Sequence, residues 1–148
     1  MKLRVALVLL YVALLGGCAD AGGKRSPYRY LIADRYVGWV EIKFGIADAP
    51  DLPIREGFRI AKFPPDGTLK TSSKLENGWA KDEYYYYDGD ATQKLSEGYQ
   101  TGLINGGASG LRSSDSHQSL WFFVGSYDQY MKHGYVSTTA PRIGPIQQ

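Results

Sequence analysis

The sequence holds one thiol, Cys18, and two imidazoles, His117 and His133. An adjacent pair of acids, Asp82 and Glu83, stands beside four consecutive tyrosines, Tyr84 to Tyr87. A single cysteine excludes an internal disulfide, a Cys-based zinc cluster and a dithiol redox centre. Two separated histidines do not specify a metal site. His117, with Asp115 nearby, reads as a surface side chain rather than a general base, and His133 suits the C-terminal end of a short helix. Asp88-Gly89-Asp90 opens like a calcium loop, but Gln93 and Tyr99 stand where an EF-hand needs Gly and Glu. In Gly107-Ala108-Ser109-Gly110, Leu111 occupies the last Gly position of a nucleophile elbow. No metal, cofactor or catalytic constellation is expected.

Asp82 and Glu83 are the most suggestive acids because they adjoin Trp79 and the tyrosines. Adjacent strand residues point to opposite faces, so the two carboxylates are not expected to work as a pair. One should be ion-paired to a neighbour such as Lys81 and the other solvated. The same alternation places Tyr84 and Tyr86 on one face and Tyr85 and Tyr87 on the other, with one pair in the core and one exposed beside Trp39. Aromatic faces in a row stack on sugar rings or anchor a protein partner. The competing reading is cross-strand packing that stabilises a sheet. Trp39, Trp79, Asp82, Glu83, Tyr85 and Tyr87 form the candidate binding surface.

The chain has 148 residues, with 17 Lys+Arg against 15 Asp+Glu. Lys2 and Arg4 precede an uncharged apolar run from Val5 to Leu15. As a helix that run spans roughly 16 Å, about half a hydrocarbon core of ~30 Å, which suits a signal peptide over residues 1–17. Leu15-Gly16-Gly17-Cys18 resembles the bacterial lipobox. The resemblance implies a diacylglyceryl thioether and further acylation, such as palmitate, on Cys18. At ~0.8 kcal/mol per buried CH₂, several chains hold a domain on a bilayer. Ala19 stands where an aspartate would resemble an inner-membrane retention signal. An outer-membrane, periplasm-facing protein is therefore expected where the host has such a membrane. Losing Lys2 and Arg4 balances the charges, which argues against a nucleic-acid partner.

A flexible tether is expected over 18–27, a domain over 28–140 and an irregular tail over 141–148. Val37 to Phe44 is the best strand: Val40, Ile42 and Phe44 share one face, and Trp39, Glu41 and Lys43 the other. Gly38 within it suggests a bulge or a close backbone approach. Tyr28 to Ile32, Phe58 to Phe63, Leu69 to Ser72, Trp79 to Tyr87 and Leu120 to Val124 read as further extended segments. Pro64-Pro65-Asp66-Gly67 is a turn. Gly98 to Ser119 is the candidate mobile loop. Ser126 and Gln129 form a capping box for one short helix from Tyr127 to about His133, ended by Gly134. The expected fold is all-β and mainly antiparallel: a small β-sandwich or partly open barrel with one peripheral C-terminal helix.

The order Tyr36-Val-Gly-Trp-Val-Glu-Ile, Leu52-Pro53, Pro65-Asp66-Gly67, Thr71-Ser72-Ser73, Gly78-Trp79-Ala80-Lys81-Asp82-Glu83-Tyr84-Tyr85 and Phe122-Phe123-Val124-Gly125 resembles a family of small bacterial lipoproteins. It covers roughly Tyr30 to Tyr130. That family is a domain of unknown function, so the resemblance implies a class and a location but no activity. The first half is also similar to transthyretin-like and carboxypeptidase-regulatory-like sandwiches. The expected partners are a membrane, through the N-terminal lipid, and an envelope protein or a glycan.

Overall fold

The computed structural model describes residues 23–89, 91–98, 100–111, 116–134 and 141–146. The signal segment and Cys18 lie outside the described residues, as do Asp90, Tyr99, Asp115 and residues 135–140.

The strands fall into two facing sheets. The first runs in the order β3 (Ile54–Arg55), β4 (Phe58–Lys62), β1 (Tyr28–Ala33), β6 (Glu83–Asp88), β7 (Ala91–Lys94). The second runs β10 (Gly144–Pro145), β2 (Gly38–Lys43), β9 (Gln118–Val124), β8 (Ile104–Leu111), with β5 (Thr68–Lys70) also on β2. The result is a β-sandwich, with no closed barrel among the described residues. Five of its pairings are antiparallel. Three are parallel: β1 with β4, β1 with β6, and β2 with β5. Parallel neighbours need a long crossover, commonly a helix. Here each crossover passes through strands of the opposite sheet, because the chain moves between the layers from β1 to β6.

Alternation then builds the core. Tyr28, Tyr30 and Ile32 of β1 point inward, opposite Val40, Ile42 and Phe44, and all six are buried. Tyr30 stacks on Tyr84 at 4.8 Å and meets Phe122 edge-on at 5.1 Å, so an aromatic cluster joins the two sheets. Gly67 closes the Pro64 turn at φ +79°, its amide donating to the Pro64 carbonyl at 2.9 Å. Gly38 is where backbones approach closely: a Cβ there would overlap the Gly144 carbonyl.

The capping box forms as expected. Ser126 accepts from the Gln129 amide, and the Gln129 side chain accepts from the Ser126 amide. One short helical turn, α1 (Tyr127–Gln129), widens into a π turn over Tyr130–Gly134. Among the described residues it lies against the outer face of the second sheet. Trp39 donates its Nε1–H to the Gly134 carbonyl at 2.8 Å and packs edge-on to Phe123 and Tyr130.

Three sequence expectations change. The Gly-rich stretch read as a mobile loop contains β8, paired along β9 from Ile104 to Leu111 with a bulge between Asn105 and Gly107. Glycine carries no side-chain pattern, so its strand state comes from the partner's hydrogen bonds. The segment read as a tether is docked from Lys24 onward, through Arg25 and its bond to Asp82. The tail pairs with β2, and the Ile146 amide donates to the Val37 carbonyl at 2.9 Å.

Candidate functional site

The outward residues of the first sheet are Phe58, Ile60 and Lys62 from β4, Arg29 and Leu31 from β1, Glu83, Tyr85 and Tyr87 from β6, and Thr92 and Lys94 from β7. The register sets them side by side: Arg29 beside Ile60 and Glu83, Leu31 beside Lys62 and Tyr85, and Tyr85 beside Lys94. Two clefts cross this face, one of about 530 Å³ and one of about 350 Å³. They adjoin at Leu31, Arg55 and Ile60, which line both, and together they make a groove floored by Leu31 and Ile60. Tyr85 lines one end and Tyr87 the other.

Cations flank the rings. The Lys62 ammonium lies 4.1 Å from the Tyr87 centroid and the Arg29 guanidinium 4.3 Å from that of Phe58. Glu83 gathers the charge at one end, accepting from Arg29 Nε, Lys94 Nζ and the Tyr85 hydroxyl, each at 3.1 Å. Partial burial pushes the Glu83 carboxyl up, but the donors Lys94, Arg29 and Tyr85 outweigh it and hold the group below its ordinary range. Arg29 also reaches Glu56 at 2.8 Å. Arg55, which both clefts share, is exposed and makes no ion pair among the described residues.

The six residues of the expected binding surface do not all meet. Glu83, Tyr85 and Tyr87 share the groove face, while Tyr84 and Tyr86 pack inward, as the alternation requires. Asp82 turns the other way. Its two oxygens accept from Arg25 at 2.8 and 2.6 Å, and Oδ1 also accepts from the Tyr28 amide at 2.9 Å. The partner is thus Arg25, not the neighbouring Lys81, and the carboxylate is fully committed. Trp39 is not beside the tyrosines: it is 7% exposed on the outer face of the opposite sheet, under the π turn. Trp79 is 70% exposed at the end of the first sheet where β1, β4 and β6 begin.

Arg29, Arg55, Phe58 and Lys62 escaped the sequence reading. The alternation Tyr28-Arg29-Tyr30-Leu31-Ile32 carries the signal for Arg29: a cation between two inward tyrosines must face out. The face brings together apolar contact area, aromatic edges and fixed positive charge. Such an arrangement can hold an extended chain bearing carboxylates. It does not assemble an acid–base pair, since Asp82 and Glu83 diverge and each is held by cations. Burial raises the Tyr30 and Tyr84 hydroxyls well above their usual range, so both remain neutral phenols.

The fold is similar to the crystal structure of a Bacillus anthracis protein named as a lipoprotein. The TM-score is 0.60 at 22% identity, over 78% of this chain and 82% of that one. No curated protein matches the chain in sequence. The model of a family of unknown function, DUF6843, matches residues 24–124, including both central strands, the groove and the aromatic core; the chain belongs to that family.

Proposed function

We propose that the protein is a lipid-anchored module of the cell envelope, held by Cys18, that acts by binding an anionic partner rather than by catalysis. The observation that carries the binding reading is the pair of adjoining clefts over Leu31 and Ile60, with Tyr85 in one and Tyr87 in the other. Arg55 lines both and makes no ion pair among the described residues, while Arg29 is paired with Glu56 and Glu83. A planar guanidinium beside aromatic contact area suits carboxylates on an extended chain. The anchor reading is supported by the lipobox spacing and by the lipoprotein name of the similar structure. No helix among the described residues is long and apolar enough to cross a membrane. Ala19 after the cysteine favours the outer membrane, with the domain facing the periplasm, where the host has one.

The preferred partner is an acidic segment of an envelope protein. A glycan is the second reading, favoured by Tyr85 and Tyr87 on one open face. Co-sedimentation with isolated sacculi separates the two. Retention that disappears in the Tyr85→Ala/Tyr87→Ala protein supports the glycan. Absence of retention, together with an envelope-protein crosslink at Arg55 that Tyr87→Ala removes, supports the protein partner. Turnover of cell-wall fragments by the wild-type protein would overturn the non-catalytic reading. Mass spectrometry tests the anchor: the N-terminal peptide should begin at Cys18 and carry acyl chains, and an unmodified Cys18 counts against lipidation.

A further inference from the structure

The groove face ends beside the point where the chain arrives from its N-terminal segment. Gly23 and Arg25 bracket Trp79 there: the Trp79 amide donates to the Gly23 carbonyl at 3.2 Å, and the Arg25 amide donates to the Trp79 carbonyl at 3.3 Å. Gly78 stands at φ +131° against the Gly23 carbonyl, where a Cβ would collide. The bidentate Arg25–Asp82 pair locks the same corner. Trp79 is therefore held rigidly by its backbone, yet its side chain is the most exposed of the large apolar ones among the described residues.

Its surroundings are cationic. A cleft of about 400 Å³ brings Trp79 together with Lys24, Lys81, Phe58 and Lys94. Lys24 and Lys81 are exposed and make no ion pair among the described residues. Asp82, Glu83 and Glu76 are each paired with cations of their own, leaving Glu97 to offset part of the local positive charge.

From Cys18 to Gly23 the chain spans at most about 18 Å even when fully extended. A folded domain of this size is wider than that, with a radius of gyration of about 14 Å. An anchor at Cys18 therefore holds this corner within about 18 Å of the bilayer, closer than most of the domain. Tryptophan prefers the membrane–water interface, and lysines near the surface are drawn to anionic lipid.

We propose that this corner is a membrane-docking patch: Trp79 enters the headgroup region of an anionic bilayer, and Lys24 and Lys81 lie against lipid phosphates. The proposal rests on the reading of Cys18 as the lipid anchor.

The test reconstitutes the native full chain in phosphatidylglycerol vesicles whose acyl chains carry bromine, a contact quencher of tryptophan. The expected result is partial quenching that Trp79→Ala abolishes while its thermal midpoint stays that of the wild type. In parallel, mass spectrometry of the N-terminal peptide reads the acyl chains. Acylated Cys18 with quenching unchanged by Trp79→Ala overturns the docking and leaves the anchor standing. An unmodified Cys18 overturns the anchor and, with it, the docking. A second arm uses the chain from position 18 with Cys18→Ser, which carries neither the acyl chains nor the apolar run before Cys18, so that the patch alone can bind. There, Lys24→Gln and Lys81→Gln should each weaken binding to phosphatidylglycerol vesicles roughly fivefold, at about 1 kcal/mol per lysine. Equal affinity for neutral phosphatidylcholine vesicles would overturn the charge assignment.

Discussion

The two outer faces of the sandwich carry the same kind of sequence and meet opposite fates. On the second sheet, Trp39 and Phe123 point outward and are buried by the chain itself, through Tyr130 and the Gly134 carbonyl. On the first sheet, Tyr85 and Tyr87 also point outward, but Arg29, Lys62 and Lys94 flank them and the groove stays open. An alternating aromatic strand therefore does not say which of its faces is available to a partner. What decides is whether a later segment comes back to cover it. The covered face adds to stability, and the open one stays in contact with solvent.

The largest break in this contrast should come from Trp39→Ala. It removes a buried ring and leaves the Gly134 carbonyl without its donor, at a cost of about 3–5 kcal/mol in urea unfolding. Asp82→Ala comes next, at about 3 kcal/mol, because Arg25, 13% exposed, is left without its anion. Limited proteolysis should then cut near Lys24 in the variant and not in the wild type. Ser126→Ala removes half of the capping box that starts the covering turn, and should lower stability by ~1 kcal/mol. Tyr87→Ala, on the open face, should cost no more than ~0.5–1 kcal/mol while weakening partner binding. A loss as large as that of Trp39→Ala would mean that the open face is structural after all.

The smallest effect is electrostatic. The folded protein holds Glu83 below its ordinary value of 4.5, chiefly through Lys94, Arg29 and Tyr85 working against partial burial. Its contribution is thus fully present above pH 4.5 and is lost as acid titrates the group through its lower folded value. Glu83→Gln should flatten the fall of the thermal midpoint below that pH, and an unchanged acid limb would remove Glu83 from the account.

Half of the candidate site was legible in the residues. The period of two placed Glu83, Tyr85 and Tyr87 together and turned Asp82 away. Alternation alone, however, could not separate Trp39 from Tyr85, since both are outward aromatics of good strands. The division of strands between two sheets, which sets them on opposite sides of the molecule, appears only in the pairing of β1 with β6 and of β2 with β9. Arg29 and Lys62 become groove residues through the pairing of β1 with β4, a parallel contact that short sequence patterns do not reveal.

By itself the sequence determined the features that need only neighbours along the chain: the Pro64 turn, the Ser126 capping box, the inward set of β2, and the signal-like run before Cys18. Tertiary structure decided everything that joins distant residues. The Arg25–Asp82 pair spans 57 positions, the Trp39 indole bonds a carbonyl 95 positions away, and the glycines of β8 become a strand only against β9. The reason is physical. Local dihedral preferences and caps are satisfied within a few residues, whereas register and coverage are chosen by which surfaces bury and hydrogen-bond best once the whole chain has collapsed.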